Sequence, residues 1–173
     1  LSIDILTKYL KLNYFNIDFI YKNQFKYNYF DLIIGNPPFI TLYGRRSINM
    51  TNEKRKYYNT FDFVLNKQKS NKFNTVMFFL ENSLKYMKDS GKVSFILDIS
   101  FFEDAYIDIR KYILDNYNIV SIIENISHFD NVNSGQIILT IDKKNNPTSK
   151  IINFKDNSFI SVNIKDWKND IKY

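Results

Sequence analysis

The stretch that decides the fold is Asp31-Leu32-Ile33-Ile34-Gly35-Asn36-Pro37-Pro38-Phe39. Residues 30–34 are an apolar run typical of a buried strand, and the glycine and two prolines that follow predict a rigid turn. Because proline lacks an N–H and restricts the residue before it, the turn presents the Asn36 amide and carbonyl oxygens without matching donors. Acceptors beside the Phe39 ring suit a planar group that carries an exocyclic NH2. The plainer interpretation is an ordinary turn, since Asn-Pro pairs often begin one.

Strands and helices alternate along the rest of the chain. Apolar runs predict strands at residues 17–20, 30–34, 92–99, 118–124 and 135–142, and a hairpin formed by residues 150–154 and 158–164. Apolar stripes predict helices at residues 5–13, 74–88 and 103–116, and residues 40–73 read as a long loop or a small inserted helix pair. This order predicts an α/β fold with a parallel sheet and helices on both faces. The ligand crevice of such a sheet lies beyond the carboxyl ends of its strands, where Asp18 and Asn36 are placed.

The composition limits the class of protein. Of the 173 residues, 45% are hydrophobic and 17% aromatic, so we expect a folded domain with its own core. The sequence lacks cysteine, which excludes disulfides and thiolate metal sites, and it has no run of about 18 apolar residues that would predict a membrane span. No secretory leader opens the chain, and these features together favour the cytoplasm. The net charge of +6 is compatible with a nucleic-acid partner and also with an ordinary basic surface.

The turn and the sequence after it resemble a known family. Asn36-Pro37-Pro38-Phe39 matches the (Asp/Asn/Ser)-Pro-Pro-(Tyr/Phe/Trp) motif of S-adenosylmethionine-dependent amino methyltransferases, and the chain resembles the adenine-N6 DNA methyltransferases of type I and type IIG restriction–modification systems. Further segments resemble that family's later elements in the same order, namely residues 78–88, residues 91–97 with 100–102, residues 110–113 and 119–124, and residues 128–132 followed by 137–142. The resemblance covers about residues 1–145 and implies a Rossmann-like doubly wound sheet, mostly parallel with an antiparallel last strand. Residues 146–173 are expected to be a C-terminal extension or the start of a linker to a target-recognition region.

The resemblance implies a site for an adenine flipped out of double-stranded DNA. The Asn36 side chain and the Pro37 carbonyl, in a turn stiffened by Pro38, would accept hydrogen bonds from the adenine amine, and Phe39 would stack on the base. Phe129 matches the family position that stacks on the other face of the base, and is otherwise an aromatic that anchors its own loop. The implied chemistry is a direct in-line methyl transfer that needs no metal. The lack of cysteine excludes the covalent mechanism of cytosine-C5 enzymes.

The implied methyl donor is S-adenosylmethionine, and the residues expected around it are Asp18, Phe19, Asn36 and Asp4. Asp18 would accept a hydrogen bond from the donor's amine while Phe19 packs on its ring, although an aspartate there also suits a turn cap. Asp4 would hold the ribose hydroxyls, or cap a helix. The family's glycine-rich donor loop has no counterpart, because the first glycine of the chain is Gly35. We therefore expect a partial methyltransferase domain that lacks its N-terminal part, with the remainder of the methyltransferase or a specificity domain as a partner.

Basic residues follow the turn closely. The candidates for contact with DNA phosphates are Arg45, Arg46, Lys54, Arg55 and Lys56. The other interpretation of such a charged run is a solvated face.

The leading interpretation of the sequence is the catalytic domain of a site-specific DNA adenine-N6 methyltransferase in restriction–modification or phage defence. Two alternatives stay open. Similar four-residue motifs occur in RNA and protein-amide methyltransferases. The absence of the glycine motif is also compatible with a methyltransferase-like DNA-binding module that is inactive on its own.

Overall fold

The strands of the computed structural model belong to one sheet. The structure describes residues 15–22, 25–42, 51–66, 73–126, 135–143, 146 and 148–167. The strands in these ranges are β1 (Phe30–Gly35), β2 (Met87–Asp98), β3 (Asn118–Ile126), β4 (Gln136–Asp142), β5 (Thr148–Asn153) and β6 (Phe159–Asn163). Their order across the sheet is β1-β2-β4-β3-β5-β6.

The helices of the described ranges are α1 (Asn52–Tyr58), α2 (Asp62–Leu65), α3 (Thr75–Tyr86) and α4 (Ile107–Asn116). Short 3-10 turns occupy Ile99–Phe102, Asp104–Tyr106 and Ile164–Trp167. The side chain of Thr51 caps α1 and that of Asn74 caps α3, each by accepting a hydrogen bond from a backbone N–H of the first turn. α1 and α2 are the small inserted helix pair that was one of two predictions for residues 40–73. No helix of the described ranges is long and apolar enough to span a membrane.

Strand directions confirm the α/β prediction and its antiparallel strand. β1 and β2 are parallel, β3 and β5 are parallel, and β4 runs antiparallel to both β2 and β3. Because β1–α3–β2 and β2–α4–β3 progress in the same direction across the sheet, right-handed crossovers place α3 and α4 on the same face. The predicted hairpin forms as β5 and β6. β5 also pairs with β3, so the hairpin extends the sheet beyond β3, and the strands on either side of the domain boundary predicted at residue 145 share one sheet.

Two boundaries differ from the sequence prediction around β2. The helix predicted for residues 74–88 ends at Tyr86, and β2 begins at once at Met87, so Asp89-Ser90-Gly91 lies inside a strand and does not end the helix. A Cβ atom on Gly91 would lie within 3.0 Å of the backbone oxygens of Phe30 and Asp31. The glycine therefore permits a close approach of β2 to β1 at the point where their register shifts.

The strand predicted at residues 17–20 is not formed. The Asp18 carboxylate accepts hydrogen bonds from the backbone N–H groups of Ile20 and Tyr21, at 3.3 and 3.2 Å. Such a local side-chain bond competes with extended structure and folds the segment into a turn.

The sheet buries one face against α3 and α4. Along β2, Val93, Phe95 and Leu97 are buried, while the residues between them are at least partly accessible. β1 differs from the prediction of a buried strand, because Leu32 is 57% exposed and Ile34 is 71% exposed. β1 is the edge strand of the described sheet, so among the described residues it has a neighbouring strand, β2, along one edge only.

Candidate active site

The Asn-Pro-Pro-Phe turn follows β1 directly, at the carboxyl end of that strand. The side chain of Thr75, the first residue of α3, holds the far end of the turn by donating to the Pro38 carbonyl and accepting from the Ile40 N–H at 3.1 Å. The Thr75 N–H in turn donates to the Ile40 carbonyl at 2.9 Å. Thr75 thus fixes the far end of the turn and engages the Pro38 oxygen, whereas Asn36 and Pro37 line the cleft beside the turn.

A cleft of about 660 Å³ opens beside this turn. Its walls are largely aromatic and aliphatic, and they include Phe15, Ile17, Phe19, Phe25, Phe79 and Phe95. The turn itself contributes Asn36 and both prolines. Phe39 is half-buried and its ring lies 6.0 Å from that of Tyr106, but Phe39 is not one of the residues that line the cleft. A cleft of this kind suits a flat, largely apolar ligand that presents a few polar groups at one edge.

The segment with Asp18 and Phe19 is fixed to α3. The Phe19 ring stacks on Phe79, with centroids 5.2 Å apart and planes at 14°, and meets Tyr86 edge-on at 5.7 Å. The buried Asn82 side chain donates from Nδ2 to the carbonyls of Phe19 and Ile20, at 3.0 and 3.3 Å. These contacts bring Phe19 to the wall of the cleft that carries Asn36.

Asp18 and Lys54, which the sequence assigned to different ligands, contact each other. The Lys54 ammonium donates to the Asp18 carboxylate at 2.7 Å, and it lies 5.1 Å from the centre of the Tyr21 ring. Partial burial acts to raise the pKa of Asp18, but the hydrogen bonds from Lys54 and from the Tyr21 N–H outweigh it and hold the pKa below its ordinary value. Asp18 is therefore both a turn cap and an ion-pair partner of α1.

Helix α1 docks on the same segment through Tyr21. The hydrogen bond between Tyr21 and Glu53 raises the pKa of Tyr21 to about 12, because the carboxylate disfavours a second negative charge. The rings of Tyr21 and Tyr57 meet edge-on at 5.3 Å. Arg55 and Lys56, the other described candidates for phosphate contact, are exposed on α1.

Glu81 ties α2 to α3. Its fully buried carboxylate accepts from the backbone N–H groups of Asp62 and Phe63 at 2.8 and 3.0 Å, and from the Lys85 ammonium at 2.6 Å. The carboxylate stands at the N-terminus of α2, where a negative charge is favourable. The segment between the catalytic turn and α3 is thereby anchored at a second point.

Sequence reasoning missed the polar residues of α3, although Glu81, Asn82 and Ser83 form a run of three polar residues inside an apolar helix. All three are buried. Buried polar side chains usually have a specific partner, so such a run is a usable signal. Among the residues that the sequence did predict, the structure groups Phe19, Asn36 and the two prolines around the cleft.

Several predicted site residues lie outside the described ranges. They are Asp4, Arg45, Arg46 and Phe129. Their roles stay predictions.

Several solved structures share this arrangement of strands and helices. A putative class I S-adenosylmethionine-dependent methyltransferase from Listeria monocytogenes aligns with a TM-score of 0.60 at 16% identity, over 80% of this chain and 40% of that chain. The type I restriction enzyme EcoKI M protein aligns with a TM-score of 0.52 at 17% identity, over 72% of this chain and 25% of that chain. The fold is that of the S-adenosylmethionine-dependent methyltransferases.

The chain belongs to the Eco57I restriction-modification methylase family, whose sequence model matches residues 4–133. It is 27% identical over 133 residues to the type II restriction enzyme and methyltransferase RM.Eco57I of Escherichia coli. The aligned region covers 73% of this chain and 12% of that protein. The chain thus spans a small part of the length of this relative. The resemblance stated from the sequence is confirmed at the level of the family.

Proposed function

We propose that the protein carrying this chain is a DNA adenine-N6 methyltransferase of a restriction–modification or phage-defence system. The observation that carries the proposal is that Asn36 and Pro37, which offer a side-chain amide oxygen and a backbone carbonyl as acceptors, line an aromatic cleft beyond the carboxyl end of β1. Membership in the restriction-modification methylase family supports the reaction class. The acceptor pair supports an exocyclic amine as the target.

The chemistry follows from the acceptors. Asn36 and Pro37 accept the two hydrogens of the adenine amine, which draws the nitrogen lone pair out of conjugation with the ring. The nitrogen then attacks the methyl carbon of S-adenosylmethionine in line with the C–S bond. The N–C bond forms, the C–S bond breaks with its electron pair going to sulfur, and the methylated nitrogen loses one proton to solvent. Positioning and polarisation supply the rate enhancement.

The remaining predicted roles belong to the same proposal. Asp18 and Phe19 hold the adenine end of the donor, and Asp4 holds its ribose. Phe39 and Phe129 stack on the flipped base. The basic residues on α1, together with Arg45 and Arg46, meet DNA phosphates, and the other parts of the methyltransferase or a specificity domain complete the site.

The experiment is a methylation assay on the full-length protein with labelled donor and three substrates: duplex DNA, RNA and protein. The product nucleoside is identified by mass spectrometry. We expect N6-methyladenine in duplex DNA. Transfer to RNA or protein, or to cytosine, would refute the proposal.

The matched variants are Asn36→Ala and Asn116→Ala. Asn116 is an exposed asparagine at the end of α4 and its side chain contacts only the helix behind it, at the Tyr112 carbonyl, among the contacts described. Loss of an acceptor that acts mainly in the transition state should lower the turnover of Asn36→Ala by roughly 10²–10³-fold, with donor and DNA affinities nearly unchanged. The Asn116→Ala variant should match wild type. Equal losses of affinity and turnover in Asn36→Ala would rule out the assigned role.

A further inference from the structure

The cleft beside the catalytic turn has a second polar side chain besides Asn36. Ser83, in the third turn of α3, lines the cleft and is fully buried. Its Oγ has no hydrogen-bond partner among the described residues. The other side chains that line the cleft in the described ranges are apolar.

A buried hydroxyl without a partner is unusual. A serine inside a helix commonly bonds back to the carbonyl one turn earlier, and the Ser83 hydroxyl makes no such bond. Alanine would fit the same position, form helix more readily and leave no polar atom unsatisfied. The hydroxyl is therefore explained best by a partner that is bound during function.

The surroundings of Ser83 indicate the chemistry of that partner. Phe79, Ser83 and Tyr86 lie on one face of α3, because they are spaced by four and three residues. The Phe19 ring contacts the rings on both sides of Ser83, Phe79 at 5.2 Å and Tyr86 at 5.7 Å. Aromatic residues thus flank Ser83 on its face of α3, which is an environment suited to a flat heteroaromatic ring with a polar atom at its edge.

We propose that the Ser83 hydroxyl binds the purine ring of the methyl donor's adenosine, an inference that rests on the proposed function. The donor's exocyclic amine is assigned to the Asp18 carboxylate, so the hydroxyl donates to a ring nitrogen. Phe19 and Phe79 stack directly on each other and leave no space for a third ring between them. A purine that inserts between these two rings therefore requires the Phe19 ring to turn away from Phe79, while Asn82 keeps the backbone of Phe19 in place.

The test compares Ser83→Ala with Ser149→Ala in the full-length protein. Ser149 is a matched control, because it is also fully buried and its Oγ also lacks a partner in the described part of the chain. It lies in β5, which is separated from β1 by three strands and from β2, the other strand that lines the cleft, by two. Binding of S-adenosylhomocysteine is measured by calorimetry, and folding is followed by circular dichroism during thermal unfolding.

We expect Ser83→Ala to bind S-adenosylhomocysteine about tenfold more weakly than wild type, the effect of one hydrogen bond, and Ser149→Ala to bind like wild type. Both variants should unfold at or slightly above the wild-type temperature, since each loses an unsatisfied hydroxyl. Ser83→Cys, which keeps the size of the side chain but donates weakly, should weaken binding like Ser83→Ala. If Ser83→Ala folds poorly, binding of S-adenosylhomocysteine by Ser83→Cys tests the inference in its place.

Analogues of S-adenosylhomocysteine in which one purine nitrogen at a time is replaced by C–H identify the atom. One of them should bind wild type and Ser83→Ala equally well. Equal binding of S-adenosylhomocysteine by wild type, Ser83→Ala and Ser149→Ala would overturn the inference and leave the proposed function intact. The same would follow if Ser83→Ala bound every analogue more weakly than wild type by the same factor. Absence of binding to wild type would instead overturn the proposed function.

Discussion

Asn82 offers the sharpest test of how the donor segment is held, that is, residues 18–20, which the proposed function assigns to the methyl donor. Its side chain donates to the carbonyls of Phe19 and Ile20, and Ile20 itself is buried. Asn82→Ala removes both donors and keeps the helix, since alanine is a good helix former. The two carbonyls then face α3 without a partner, and the conformation of the Asp18 segment loses its anchor.

The magnitude follows from the two hydrogen bonds. At a net value of about 1 kcal/mol each, the fixed conformation of the segment loses about 2 kcal/mol. For a chain of this size the melting temperature should fall by roughly 4–8 °C. If the same free energy is lost from the binding-competent conformation, the apparent affinity for S-adenosylhomocysteine should fall by up to roughly 30-fold.

Calorimetry and thermal unfolding of the full-length protein measure both effects, with Asn118→Ala as the control. Asn118 is also buried and donates from Nδ2 to the Asp142 carboxylate at 3.0 Å, but it lies at the start of β3, away from the cleft. Both variants should lose stability, and Asn82→Ala alone should lose affinity. If the two variants bind the ligand equally well at a temperature where both are folded, Asn82 does not position the donor segment.

Two further predictions concern the charged contacts around the site. Lys54→Met frees the Asp18 carboxylate from an ion pair worth at most about 1 kcal/mol, so the affinity for S-adenosylhomocysteine should rise by no more than about fivefold. The slope of DNA affinity against salt concentration should fall by the equivalent of about one phosphate contact. If neither the affinity nor the slope changes, the two roles given to Lys54 are contradicted. Burial lowers the pKa of Lys85, but hydrogen bonds and charges of Glu81 and Asp62 raise it by more, and the result lies above the ordinary 10.5. The stability that Lys85 contributes is therefore complete below about pH 10.5 and is lost as the pH rises through its folded-state pKa. Chemical denaturation of wild type and Glu81→Gln between pH 9 and 12 should give a shallower alkaline loss for the variant, and identical slopes would refute the assignment.

The Asn-Pro-Pro-Phe turn was predictable as a structural element because its determinants are local. Proline restricts itself and the residue before it, so the strand of residues 30–35 and the turn that ends it can be read from neighbouring residues. The anchors of the turn were not predictable in this way. Asn82 binds carbonyls 63 and 62 positions earlier in the chain, and Thr75 binds a carbonyl 37 positions earlier. Contacts at such separations depend on the topology of the sheet, which periodicity does not specify.

The contact between Asp18 and Lys54 shows the same limit at the site itself. Sequence reasoning gave one residue to the methyl donor and the other to DNA, because each was matched to a separate motif. In the structure the two side chains form one ion pair at 2.7 Å. If Asp18 holds the donor and Lys54 meets DNA, as proposed above, the two ligands compete for the charges of one ion pair, a coupling that the sequence alone does not indicate.

Helix α3 is the element that makes a site out of separate chain segments. Its apolar residues, such as Leu80 and Leu84, are buried in the core. Because the hydrophobic effect has no preferred direction, their burial alone would allow many rotations and shifts of the helix. A buried polar side chain is costly unless it meets its partner at one position and angle. Because Thr75 binds the Asn-Pro-Pro-Phe turn, Glu81 binds α2 and Asn82 binds the backbone of Phe19, one placement of the helix satisfies all three. The polar residues of α3 therefore determine where the acceptors of the turn stand relative to the aromatic cleft, and the apolar stripe determines only that the helix is buried.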